Sequence, residues 1–186
     1  MRVAGLLLAC VVLTSCRFLP PSSPQMTEAP ENVPRARLRV IAEPDFAVVD
    51  GTPGGDCATT NLPGRGRIVG FPEYQIRKGT FDGRSLGMPD PERLDLSVDM
   101  SRRRTRNKYS GEIYVEAGKP FWLSYLYHVN LFTGYRSCAT NMFFTPQEGK
   151  DYEARFWIDL KEKRCLAVLM MRTEYGLWVP VPMGRC

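Results

Sequence analysis

The chain has 186 residues, and Lys plus Arg total 25 against 20 for Asp plus Glu, which gives a formal charge of +5 with histidine neutral. Hydrophobic residues make up 44% and charged residues 24%, the composition of an ordinary globular domain and not of a disordered or collagen-like chain. The sequence holds 1 histidine, His128, so mechanisms that need two imidazoles are excluded, and the length suits one domain with a short appendage.

Residues 1–16 read MRVAGLLLACVVLTSC. Arg2 precedes an apolar run from Val3 to Leu13, the right length for the core of an export signal. That run is too short to cross a hydrocarbon layer of about 30 Å as a helix. It ends in Leu13-Thr14-Ser15-Cys16, which resembles the lipobox of Gram-negative envelope lipoproteins. The resemblance covers residues 1–16 alone. It implies cleavage before Cys16, a diacylglycerol on its thiol, and fatty acylation, such as by palmitate, of the new amino group. Two or more acyl chains make such an anchor stable where one is marginal, since each buried methylene contributes about 0.8 kcal/mol. Arg17 follows the cysteine. In enteric lipoproteins an aspartate there retains the protein at the inner membrane, so the resemblance implies the outer membrane, periplasmic face. Cys10 is the rival cysteine, but cleavage there would leave the apolar run too short. Loss of residues 1–15, whose charge is Arg2, leaves a mature chain of 171 residues with charge +4.

Residues 17–36, RFLPPSSPQMTEAPENVPRA, carry Pro20, Pro21, Pro24, Pro30 and Pro34. Proline removes amide donors and fixes φ, so this stretch reads as an extended tether. Together with Cys16 it forms a lipidated spacer over 16–36, with a reach on the order of 60 Å. The remaining residues, 37–186, are long enough for one core and show no internal repeat.

A period of two dominates that stretch. Candidate strands lie at 37–42, 65–70, 73–78, 93–100, 112–117, 120–129, 140–145, 152–160, 165–173 and 177–181, with the clearest alternation in 93–100, 112–117 and 152–160. Gly118-Lys119-Pro120, Gln147 to Lys150 and Lys161 to Arg164 supply turns, the last as a hairpin tip. No long apolar pattern at helical spacing follows residue 16. The expected fold is therefore an all-β sandwich or barrel. The stretch from Phe144 to Tyr152 resembles the tyrosine corner of immunoglobulin-like and fibronectin-like sandwiches. That resemblance implies that the Tyr152 hydroxyl bonds back to upstream backbone. The fold expected is an immunoglobulin-like or transthyretin-like β-sandwich.

Beyond Cys10 and Cys16 there are Cys57, Cys138, Cys165 and Cys186. In an exported chain an even set reads as disulfides, with three connectivities open. Cys138–Cys165 with Cys57–Cys186 is favoured, because Cys138 and Cys165 bracket the 152–160 strand. A zinc site would want closely spaced pairs or histidine partners, and the spacings here are 81, 27 and 21 residues. No metal or cofactor is expected.

The sequence offers few groups for catalysis. His128 lies in the apolar stretch FWLSYLYHV, where a lone histidine is more often packed than catalytic. There is no G-x-S-x-G and no phosphate-binding glycine loop. Glu112 and Glu116 sit on one face of a strand roughly 13 Å apart, too far for a direct acid pair. Asp90, Glu92, Asp95 and Asp99 are scattered, and all of these carboxylates read as solvated. No catalytic residues are assigned.

Two surfaces suit binding. Arg102, Arg103, Arg104, Arg106 and Lys108 form a basic run between strand candidates, able to attract an anionic envelope polymer or lipid. Export makes nucleic acid the wrong partner. Trp157 lies on the otherwise polar face of 152–160, and Trp122 lies in 120–129, where both faces are apolar; the two are either exposed for a partner or covered by the Pro- and Gly-rich segment 71–92. The reading that results is a lipid-anchored, non-catalytic envelope module that binds another envelope protein. The alternative is a periplasmic inhibitor or immunity lipoprotein that neutralises an incoming enzyme.

Overall fold

In the computed structural model, residues 26–43, 47–56, 58, 62–70, 81–89, 109–131, 134–159 and 161–184 are described. Alternating segments become strands wherever turn residues bound them. Among the described residues these are β1 (Arg35–Ala42), β2 (Ala47–Pro53), β3 (Gly66–Gly70), β4 (Tyr109–Glu116), β5 (Phe121–Leu131), β6 (Gly134–Phe144), β7 (Asp151–Asp159), β8 (Arg164–Arg172) and β9 (Trp178–Pro180). They form a five-stranded sheet, β4-β1-β7-β8-β9, and a four-stranded sheet, β3-β2-β5-β6. The molecule is thus a β-sandwich. All pairings are antiparallel except β1 with β7, which is parallel.

The pleat sorts the side chains. Leu38, Val40 and Ala42 of β1 meet Tyr152, Ala154 and Phe156 of β7 on the inner face, opposite Phe121, Leu123 and Tyr125 of β5. Tyr125 stacks on Phe156 at 5.3 Å between ring centroids, joining the two sheets at the centre of the core. Cys138 of β6 and Cys165 of β8 are disulfide-bonded with Cα atoms 5.5 Å apart, so the staple also runs from sheet to sheet. Cys57 and Cys186 lie outside the described residues. The Tyr152 hydroxyl accepts a hydrogen bond from the Gln147 amide at 3.0 Å, the back-bond expected of that turn.

Some boundaries differ from the sequence reading. β2 went unread because Asp50-Gly51-Thr52-Pro53 looks like a turn. Gly51 instead lies in a strand where a Cβ would stand 2.7 Å from Ile68 Cδ1 and 3.0 Å from Phe121 Cζ. β6 begins at Gly134, earlier than its apolar part suggests. The candidates at 73–78 and 93–100 lie outside the described residues. The proline-rich segment belongs to the fold from Met26 onward. Met26 is buried, the Thr27 amide donates to the Gly64 carbonyl, and the Ala29 amide donates to the Tyr114 carbonyl. Docking of this segment needs few amides, which proline tolerates.

Both flanks of the sandwich are crossed by chain. Residues 81–84 run beside β4: the Phe81 amide donates to Ile68, the Gly83 amide to Ser110, and the Glu112 amide to Arg84. On the opposite flank Val181 donates to Leu169 of β8, and Gly184 exchanges hydrogen bonds with Phe143 of β6.

Candidate functional site

Across the outer face of the five-stranded sheet, register places Glu112, Arg39 and Glu153 side by side on β4, β1 and β7. Arg39 Nε and Nη2 donate to Glu112 Oε1 at 2.9 and 2.7 Å, and Nη1 donates to Glu153 Oε2 at 3.2 Å. Arg155 Nε donates to Glu153 Oε1. Over these groups lies a strap, residues 84–89. Arg39 also donates to the Met88 and Pro89 carbonyls at 2.6 and 3.0 Å. Glu112 Oε2 accepts from the amides of Leu86 and Met88 and from the Ser85 hydroxyl. One turn of pleat away, Arg37 forms a fork with Asp151 at 2.7 and 2.9 Å.

Arg39, Glu112 and Glu153 are 8%, 4% and 1% exposed, so Glu112 is not the solvated carboxylate that its outward position suggested. Burial alone would raise the Glu112 pKa. The Arg39 hydrogen bonds, the two strap amides and the Arg39 charge outweigh it and hold the carboxyl below its ordinary value. Burial would likewise lower the Arg39 pKa, but bonds to both glutamates leave it raised. The cluster is charge-balanced and fixes the strap. A carboxylate already engaged by a guanidinium and three donors is poorly placed to take up or deliver a proton.

A second feature is at the end of the sandwich where the chain enters. A cavity of about 320 Å³ lies between the N-terminal segment and the sheet ends, with Met26, Pro30, Pro63, Tyr114 and Phe121 among its walls. Its carboxylates are engaged: Glu28 with Arg84 at 2.9 Å and Glu116 with Lys119 at 2.7 Å. The cavity therefore offers mainly apolar surface. At the same end the β8–β9 turn carries Tyr175 and Leu177, which are 88% and 60% exposed.

Trp122 and Trp157 are not brought together. Trp122 is 4% exposed on the outer face of the four-stranded sheet, with Arg65 5.8 Å from its ring, which is cover from within the chain. Its indole nitrogen has no hydrogen-bond partner among the described residues. Trp157 is half-buried on the outer face of the other sheet, the face the strap crosses. The strap falls within the 71–92 segment expected to give cover. His128 is half-buried, opposite Ser137. The basic run Arg102, Arg103, Arg104, Arg106 and Lys108 lies outside the described residues, as do Asp90, Glu92, Asp95, Asp99 and Cys16. Among the described residues no group of three or more His, Cys, Asp or Glu side chains is placed to hold a metal ion. The strap-and-cluster arrangement escaped sequence reading because it joins residues 73 and 114 positions apart; the weak signal was charge at outward positions of three strands.

No family model matches the chain, and no curated protein or solved structure matches it either.

Proposed function

We propose that the chain is a lipid-anchored envelope protein whose sandwich, immunoglobulin-like in its Tyr152 back-bond, works as a non-catalytic binding module. The observation that carries the reading is the state of the buried acids. Glu112 and Glu153 spend their oxygens on arginines and on strap amides, which is structural work. Cys16 fixes the protein to the outer membrane, and the domain hangs from it on the periplasmic face. Binding is assigned to the part of the outer face of β5 and β6 around Leu126, which is 44% exposed beside exposed Ser137 and Ala139. Small neighbours around one projecting apolar side chain leave a flat, partly apolar surface that a protein partner can cover.

The test is photocrosslinking in cells from position 126. The expected result is a protein adduct that is lost in Leu126→Arg while the variant stays folded. A hydrolytic activity that disappears in Glu112→Gln, with the fold intact, would overturn the non-catalytic reading. Intact mass of the membrane-extracted chain tests the anchor: acyl mass on a chain starting at Cys16 supports it, and a retained initiator methionine overturns it.

A further inference from the structure

We infer that the Tyr175–Leu177 hairpin is a second foot that rests on the lipid surface to which Cys16 is fastened; the inference rests on the anchor reading above. The starting observation is an ordered turn with apolar side chains facing out. The Thr173 amide donates to the Leu177 carbonyl at 2.7 Å, the Gly176 amide to the Thr173 carbonyl at 3.0 Å, and the Leu177 amide to Thr173 Oγ1 at 3.1 Å. Gly176 takes a φ of 83° that other residues rarely adopt. The turn is thus built, yet it projects Tyr175 and Leu177 into the surroundings. Lys150 lies 4.0 Å from Glu174 and the Arg172 guanidinium packs beside Gly176, so the tip carries a small positive charge, which does not oppose approach to a zwitterionic surface.

The topology decides which end of the domain faces the anchor. Strand β1 starts at Arg35 and runs parallel to β7, which starts at Asp151; β8 is antiparallel and ends at Arg172. The 173–177 turn therefore shares an end with Pro34, Gly118 and Gly149, where Ala117 donates to Pro34, Gly118 to Pro146 and Gly149 to Arg35. Met26 and Thr27 dock at that same end, against Gly64. From Cys16 to Met26 the chain spans ten Cα steps, a reach of at most about 35 Å. Entry point and tip sit near opposite edges of the five-stranded sheet, three to four strand spacings or about 14–19 Å apart. A short leash at one edge and an apolar tip at the other make two points of contact. Tyrosine suits such a place because its ring is apolar and its hydroxyl stays wet. The turn at 161–163 lies at the other end, where Lys161, Glu162 and Lys163 are exposed, and serves as the control.

The experiment uses the full acylated chain purified from membranes and reconstituted into phosphatidylcholine vesicles with brominated acyl chains, which quench indole emission on contact. Tyr175→Trp and Lys161→Trp are each compared with the native chain, whose own tryptophans give a shared background. The expected result is several-fold stronger quenching of the emission added at 175 than of that added at 161. Equal quenching at the two positions, or none at 175, in a chain whose mass shows the acyl groups overturns the inference and leaves the anchor standing. Capture of position 175 by a protein without quenching also overturns it. A chain whose mass lacks acyl groups overturns the anchor reading itself, and the inference with it.

Discussion

Replacing Arg39 by methionine tests whether the cluster under the strap is a buried, charge-balanced unit. Methionine fills much of the same space but removes the guanidinium that serves Glu112, Glu153 and the carbonyls of Met88 and Pro89. Glu153 keeps Arg155, so the unmet charge falls mainly on Glu112, which is 4% exposed. Removing one partner of a buried ion pair costs about 3–5 kcal/mol. For a domain of this size that corresponds to a melting temperature lower by roughly 6–20 °C. The sign of the acid response should also reverse. In the native chain the Glu112 carboxyl sits below its ordinary 4.5, so its contribution is present above that pH. As pH falls through 4.5 the unfolded chain takes up the proton first, and stability drops toward the depressed folded value. Without the guanidinium, burial, already the largest single influence, is opposed by the strap amides alone, and the pKa rises. Where the folded variant binds the proton first, it should gain stability as pH falls from about 7 toward the ordinary 4.5. Urea denaturation at both pH values reads both effects, and Arg39→Lys, which keeps the charge but loses the planar fork, should fall between. A loss under about 1 kcal/mol, or a variant that weakens with acid as the native chain does, refutes the reasoning.

Three further outcomes are expected. Cys138→Ala with Cys165→Ala frees a loop of 27 residues and should cost about 3–4 kcal/mol in denaturant midpoint measurements, with little change if the bridge merely decorates the surface. Gly111→Ala places a methyl group onto the Phe81 carbonyl oxygen; pushing residues 81–84 off β4 should cost about 1–3 kcal/mol and speed proteolysis in the strap. Burial raises the Tyr125 pKa, with the Tyr127 and Glu43 charges adding to it, and burial raises Tyr152 against the opposing Gln147 amide. Both should stay neutral in the folded state while the unfolded chain ionises above pH 10.0, so stability falls as pH rises past that value, and Tyr125→Phe should shrink that alkaline loss.

The strands were legible where one face is apolar and turns bound the run, as in β7, where Tyr152, Ala154 and Phe156 alternate with charged residues. β2 was not, because a glycine and a proline sit inside it; what selects a strand there is the lack of room beside Ile68 and Phe121, a fact about distant chain. The Cys138–Cys165 bridge could be chosen from three connectivities because both cysteines flank one strand. The candidate site was hardly legible at all. Arginine and glutamate at outward positions of three strands are what solvated faces also carry, and the difference lies in the strap that covers them. Nothing in Leu86, Met88 or Pro89 announces that their backbone will meet Glu112 and Arg39.

The flanks explain why the chain needs the strap and its last residues. A sandwich of two open sheets has edge strands with unsatisfied amides and carbonyls, which invite pairing with other chains. At one flank, residues 81–84 take up backbone groups of β3 and β4, and Gly111 leaves the space for them to pass. At the other, Val181 and Gly184 bond to β8 and β6, and a Cβ at 184 would overlap the Phe143 ring. Each crossing thus depends on a glycine where chain meets chain. The charge cluster then holds the segment that follows the first crossing, since Glu112 lies one residue from Gly111 and binds the Leu86 and Met88 amides. Edge protection and the buried ions are one device, so loosening Arg39 should expose the β4 edge and make the purified chain self-associate before it unfolds.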